Sequence, residues 1–299
     1  MSLHIIGNAV VDLIFPDTKR LANWPHHTEF TAENLVLLET PPIITVGGNG
    51  ANASYVAARC GAKVTLHSNL GADTFGQIVR DWLTEAGCTL PTPNESLRTP
   101  VNVTVANTNM QRATYFYPGA TPELPSPAME SSTVLITGWP HPLPEATAAS
   151  LKQYREADIR TALDIGPFLL EPPSLRSVQP VLAQLDLLIA NVYELTTLTA
   201  VSTAEDACDR IRESFLGDIV LKLGADGVIW CPAGSLKLHR IAGIPTEAVN
   251  TVGAGDTFNG ALLAYLDDGT PMEIALSLAN AASASVVAST QGVLGLHVP

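Results

Sequence analysis

Short apolar runs bounded by glycine and asparagine predict strands along the first third of this chain. Leu3 to Ile6 read as a buried strand ending at Gly7-Asn8, and Val10 to Phe15 continue as strand with one interruption, Asp12. From Pro16 to Pro42 the pattern is uneven and predicts irregular strands forming a cover. Ile43 to Val46 is a further strand, followed by the turn Gly47-Gly48-Asn49-Gly50 and a helix that stops at Gly61. The strand Val64 to Asn69 leads to a helix with Ile78, Val79, Trp82 and Leu83 on one face, Asp73 as its cap and Gly87 at its end. Between Arg98 and Tyr117 the residues alternate around Asn107-Thr108-Asn109, predicting a hairpin too polar on one face for a central sheet.

The second half alternates between the two periods. Thr133–Thr137, Thr161–Asp164 and Leu187–Ala190 read as strands, with helices at Glu145–Ala157 and Ser174–Ala183 between them. Such alternation implies a parallel sheet covered by helices on both faces. Ile219 to Trp230 predicts a strand, a tight turn at Gly224-Ala225-Asp226-Gly227 and a second strand. Phe258, Ala261, Leu262, Tyr265 and Leu266 recur at helical spacing up to Gly269, and Met272 to Thr290 form an Ala- and Ser-rich helix with Asn280 as its one larger polar side chain.

Composition narrows the function classes. With 299 residues, 46% of them apolar, the chain has ample core for one large or two small domains. No linker or internal repeat divides it. A net charge of −13 argues against nucleic acid or an anionic membrane as partner, because both require a basic face. Cys60, Cys88, Cys208 and Cys231 are far apart and fit free thiols, and the seven histidines show no ligand spacing. With no signal-like segment and no membrane-length apolar run, a soluble cytoplasmic protein is expected.

Five stretches carry candidate chemistry. In Gly253-Ala254-Gly255-Asp256, a small-residue turn opens a helix, so backbone N–H groups and the helix dipole can gather an anion. Asp256 sits where a phosphate is favoured; it is either a helix cap or a base that takes the proton of a substrate hydroxyl. Asp12 is either a solvent-facing strand residue or an acceptor for substrate hydroxyls. Gly48, Gly50 and Ala53 satisfy a dinucleotide fingerprint, but Val64 to Asn69 ends without the acid that fingerprint needs; Asn52 can instead point its amide at a polyol. Asn191 and Glu194 follow a strand directly, as a capping box or as organisers of nucleotide-borne magnesium. Lys222, Gly224 and Gly227 belong either to an ordinary hairpin or to a phosphate and flat-ligand surface.

Taken together, Gly47-Gly48-Asn49-Gly50-Ala51-Asn52, Asn191-Val192-Tyr193-Glu194, Lys222-Leu223-Gly224-Ala225-Asp226-Gly227 and Gly253-Ala254-Gly255-Asp256-Thr257-Phe258 resemble the ribokinase (PfkB) carbohydrate kinases, in order and over nearly the whole chain. The resemblance implies a single ribokinase-like catalytic domain over residues 1–299. Its fold would be a three-layer α/β/α with a mostly parallel central sheet and a small β-sheet lid inserted at about 13–45 and 97–119. It implies transfer of the γ-phosphoryl of ATP, with Mg2+, to a sugar hydroxyl. Asp256 would be the base, and Gly253, Ala254 and Gly255 the anion hole. Asp12, Gly48 and Asn52 would hold the sugar, Asn191 and Glu194 would orient phosphate and metal, Glu194 through water, and Lys222, Gly224, Gly227 and Asn280 would line the nucleotide site. Family members often dimerise through their lids. The family usually carries an Asp-Thr pair before this turn that helps bind a monovalent cation; Asn250-Thr251 stands here, so weak potassium dependence is expected. A nucleoside kinase using the same machinery is the alternative, with Trp24, Phe30, Phe116 or Tyr117 stacking on a base. A non-catalytic sugar- or nucleotide-binding protein is the third reading.

Overall fold

Residues 2–18, 32–107, 112–120, 125–127, 131–138, 144–166 and 172–297 are described by a computed structural model. The chain begins with β1 (Ser2–Ile6), β2 (Val10–Thr18), β3 (Ile43–Gly47), α1 (Asn49–Arg59), β4 (Val64–His67) and α2 (Thr74–Glu85). A hairpin of β5 (Val101–Asn107) and β6 (Arg112–Tyr117) follows. Strands and helices then alternate through β7 (Ser131–Thr137), α3 (Pro144–Glu156), β8 (Arg160–Asp164), α4 (Leu175–Leu182), β9 (Leu187–Asn191), α5 (Val192–Thr199) and α6 (Ala204–Arg212). The chain closes with β10 (Asp218–Lys222), β11 (Val228–Cys231), β12 (His239–Ile241), α7 (Ala254–Asp267) and α8 (Met272–Val287).

Eight strands form the main sheet in the order β12-β11-β10-β9-β8-β7-β1-β4. The strands from β4 to β10 are parallel, and β11 and β12 add antiparallel at one edge. Alternation along each strand divides the core into two layers. On β9, Leu187 and Ile189 pack into the cluster shared with α1, α2, α7 and α8, while Leu188 and Ala190 pack into the one shared with α3, α4, α5 and α6. Burial on both faces is why these strands are apolar throughout rather than alternating. The result is the expected three-layer α/β/α architecture.

A second sheet stands apart, in the order β3-β2-β5-β6. β2 pairs antiparallel with β3 and parallel with β5, so it is an inner strand. Its strands include Val10–Asp12 and Val46–Gly47, which lie outside the insertion ranges read from sequence. Asp12 pairs with Thr45 on one side and Asn102 on the other and is 6% exposed. The solvent-facing reading of Asp12 is therefore corrected: the strand is flanked on both sides, which the lone acid in an apolar run did not reveal. Among the described residues between Thr18 and Ile43, the only regular element is a 3-10 turn at Ala32–Asn34, and residues 19–31, where most of the expected irregular strands fall, lie outside the described residues. Trp24, Phe30 and the hairpin turn at Thr108-Asn109 lie outside the described residues.

α1 and α7 pack backbone against backbone at Gly260 and Ala53. A Cβ built on Gly260 would collide with the Ala53 carbonyl oxygen and lie 3.1 Å from the Ala53 Cα. Small residues at both positions let the two backbones touch. Gly260→Ala is expected to destabilise the fold by about 1–3 kcal/mol through overpacking, read from the urea midpoint. An unchanged midpoint would contradict the contact.

Candidate active site

Gly253 is the N-cap of α7, with φ 80 and ψ 0, a left-handed conformation that favours glycine. It contributes no side-chain cap, and the amides of the first helical turn lack intrahelical acceptors. The Ala254 amide reaches Thr251 O only at 3.4 Å. Asp256 lies inside this turn, so it does not occupy the capping position. Its Oδ2 instead accepts from Asn52 Nδ2 of α1 at 2.8 Å, a contact between residues 204 positions apart. The tight α1–α7 packing at Ala53 and Gly260 holds these two side chains in register. Burial pushes the Asp256 carboxyl up to about 6; Asn52 and Lys222 pull it down, while Asp164 and Asp12 push it further up. A carboxylate in that range is ionised at neutral pH and basic enough to take a proton from an alcohol during phosphoryl transfer.

Behind the turn lies a group of charges at the carboxyl ends of the parallel strands, the edge where open α/β sheets bind ligands. Lys222, ending β10, donates to Asp164 Oδ1 at 2.8 Å and to Asn259 Oδ1 at 3.2 Å. Asp164 ends β8, and Asn259 lies on α7 one turn beyond Gly255. Burial pulls the Lys222 ammonium down, but Asp164, Glu194 and Asp256 outweigh it and hold it above its usual value. Asn191 and Glu194 form a complete capping box on α5: Asn191 Oδ1 accepts from Glu194 N, and Asn191 N and Nδ2 donate to the two Glu194 carboxylate oxygens, each at 2.8 Å. Burial and the Asp164 charge push Glu194 up to about 7, against the pull of Lys222 and the Asn191 amide.

On the second sheet, pairing aligns Thr45, Asp12, Asn102 and Phe116 across one face. Asp12 is pushed up to about 6 by burial, which the Asn102 side chain partly offsets by hydrogen bonding. Its carboxyl lies against Gly47, where any Cβ would collide with it. Gly48 caps α1 at φ 85, and a Cβ there would lie 2.5 Å from Asn8 O. Phe116 shares the Asp12 face; Tyr117, paired with Val101, is on the opposite one.

Gly227 and Asn280 meet at a different segment. Asn280 Nδ2 donates to Ala242 O at 3.1 Å, and a Cβ on Gly227 would collide with Ile241 O and Gly243 N. Gly224 has open space beside it. α8 joins the two groups through Ser283 Oγ, which donates to Ala254 O at 2.9 Å. Among the described residues, no group of three His, Cys, Asp or Glu side chains is placed to hold a metal. No described helix is long and apolar enough to cross a membrane. Asp164, Asn259 and Asn102 join these groups without a motif in the sequence to mark them. Asp164 left a signal, an acid at the carboxyl end of a buried strand.

A family model described as pfkB family carbohydrate kinase matches residues 2–297. This chain belongs to that family. The kinase is 28% identical over 298 residues to a ribokinase of Bacillus subtilis, covering 96% of this chain and 93% of the relative. Its fold matches a ribokinase of Arabidopsis thaliana complexed with ribose and ATP, with a TM-score of 0.82 at 22% identity over 99% of this chain and 95% of the other. An adenosine kinase of Sinorhizobium meliloti matches with a TM-score of 0.76 at 18% identity, over 97% and 94%. The kinase is thus a phosphotransferase of the ribokinase fold that uses ATP and acts on a hydroxyl of a sugar or nucleoside. This sets aside the dinucleotide reading of Gly48, Gly50 and Ala53.

Asn52 lowers the Asp256 pKa by donating to it. Asn52→Leu, which removes the donor, is expected to move the acidic limb of the kcat/KM profile from near pH 6 to higher pH. A limb that stays in place or moves down would exclude Asp256 as the titrating group.

Proposed function

We propose that the protein is an ATP-dependent sugar kinase with Asp256 as general base and the Gly253, Ala254 and Gly255 turn as anion hole. The observation that carries this reading is the Asn52–Asp256 hydrogen bond of 2.8 Å, which holds a carboxylate of raised pKa at the amide-rich start of α7. In the reaction, the Asp256 carboxylate takes the proton of the acceptor O–H. The acceptor oxygen bonds to the γ-phosphorus, and the bond from that phosphorus to the β,γ-bridging oxygen breaks, releasing ADP. Asp12 and Gly48 hold the sugar with Asn52, and the second sheet is the lid of a single catalytic domain. Lys222, Gly224, Gly227 and Asn280 line the nucleotide side.

Mg2+ carried by the nucleotide neutralises charge on the β- and γ-phosphates when bound. This mode fits the donor set better than a metal held by protein alone, since each Glu194 oxygen already accepts one hydrogen bond from Asn191 and no group of three ligating side chains is gathered there among the described residues. Four free cysteines support a reducing compartment, the cytoplasm. Ile44, Tyr115 and Tyr117 expose apolar surface on the outer face of the second sheet and support a homodimer formed through it.

A nucleoside acceptor is the second reading, favoured by Phe116, which is exposed and shares the Asp12 face. Transfer from ATP in the presence of Mg2+ to a panel of pentoses, ketohexoses, keto-deoxy acids and nucleosides separates the two. Transfer to none of them would support the non-catalytic binding protein instead. Asp256→Asn is expected to lower kcat by about 10²-fold or more while ATP still binds, the usual weight of a general base; near-normal turnover would remove Asp256 from that role. The Asn250 oxygen already accepts from the Val252 amide at 3.0 Å and brings no charge. Activity is therefore expected to depend weakly on potassium, and a many-fold rise on adding it would contradict this.

A further inference from the structure

Lys222 and its two partners form an arrangement that stability alone does not explain. The Lys222 side chain is 14% exposed and that of Asp164 is 3% exposed. Taking such charges out of water costs about as much as their attraction returns, and a well-packed apolar replacement often does as well. Asn259 makes the arrangement still less favourable. It is fully buried, its Oδ1 accepts from Lys222, and its Nδ2 has no hydrogen-bond partner. A buried donor left without an acceptor costs about 1–3 kcal/mol.

The position of the ammonium supplies the missing reason. An ammonium has three N–H donors, and Asp164 and Asn259 take two of them. Lys222 Nζ lies 3.5 Å from the point where a Cβ on Gly255 would stand, so it faces the open side of the turn. Around it Asp164, Glu194 and Asp256 contribute three carboxyl groups, all close enough to act on its charge. A triphosphate entering here would meet net repulsion if this cation were absent.

We infer that Asp164 and Asn259 are positioning residues that hold the Lys222 ammonium beside the Gly253–Gly255 turn, where its remaining N–H meets the γ-phosphate of bound ATP. The inference rests on reading that turn as the phosphoryl site. It assigns Lys222 to the transferred phosphoryl rather than to the rest of the nucleotide, and it gives the buried pair a task in binding instead of folding.

Calorimetric titration with the nonhydrolysable triphosphate AMP-PCP and with AMP, both with Mg2+, tests it. Lys222→Met is expected to weaken AMP-PCP by about tenfold or more, the weight of one hydrogen bond between charged groups, and to leave AMP unchanged. Asp164→Asn is expected to act in the same direction. Should that variant fail to fold, the pair Asp164→Asn with Lys222→Met, which leaves neither member of the Lys222–Asp164 ion pair as a lone charge, is expected to bind AMP normally and AMP-PCP as poorly as Lys222→Met. Equal weakening of both nucleotides, or unchanged AMP-PCP binding by Lys222→Met in a protein whose wild type prefers AMP-PCP, would overturn this inference alone. A wild type that binds AMP-PCP no tighter than AMP would overturn the phosphate reading of the turn as well.

Discussion

The close approach of α1 and α7 is the constraint on which the site depends. Gly260 and Ala53 let the backbones touch, and the residues beside them, Asn52 and Asp256, are consequently held at 2.8 Å. A bulkier residue at the crossing would separate the amide from the carboxylate it orients. The same packing brings the glycine turn at the start of α1 and the one at the start of α7 to the same end of the parallel sheet. In the proposed reading, the acceptor side and the phosphate side meet through this one helix–helix contact.

Electrostatics built on that contact favours chemistry over stability. Asp256, Glu194 and Asp12 are all pushed above the usual carboxylate range by burial, with Lys222 as the nearby cation for the first two. For Asp256 the folded-state pKa of about 6 lies above the ordinary 3.8, so its stability contribution is fully present below 3.8 and is lost as pH rises through 6. At neutral pH the ionised Asp256 carboxylate therefore opposes folding. Such a group persists because the apolar layers on both sides of the sheet supply the stability it removes.

The sequence made the frame legible because its signals are local. Apolar runs and helical spacing placed the strands of the main sheet up to β11 and the helices α1 to α4, α7 and α8. Local chemistry also placed the Asp73 cap and offered the Asn191–Glu194 capping box as one of two readings; both caps are present in the structure. β12 escaped because three residues carry no readable period, and α6 because its sequence is mostly polar on its outer face. Two readings of Asp12 stayed open because strand neighbours are not visible in a run of five residues; its flanking by β3 and β5 excludes only the solvent-facing one. Asp164 and Asn259 were missed for a related reason: they reach Lys222 across 58 and 37 positions, a proximity created only when β8, β10 and α7 assemble. Among the residues that were singled out, Asp256, Asn52 and Lys222 converge, whereas Gly227 and Asn280 meet at the segment around Ala242 and Gly224 has open space beside it.

The central claim is that one carboxylate meets both the acceptor hydroxyl and the phosphoryl group at the start of α7. A crystal structure of the protein with AMP-PCP, Mg2+ and the acceptor that performs best in the panel addresses it most directly. An acceptor hydroxyl is expected within about 2.6–3.2 Å of the Asp256 carboxylate, with the γ-phosphate against the amides of the Gly253–Gly255 turn. A hydroxyl bound away from Asp256, or a γ-phosphate bound elsewhere on the sheet edge, would contradict it.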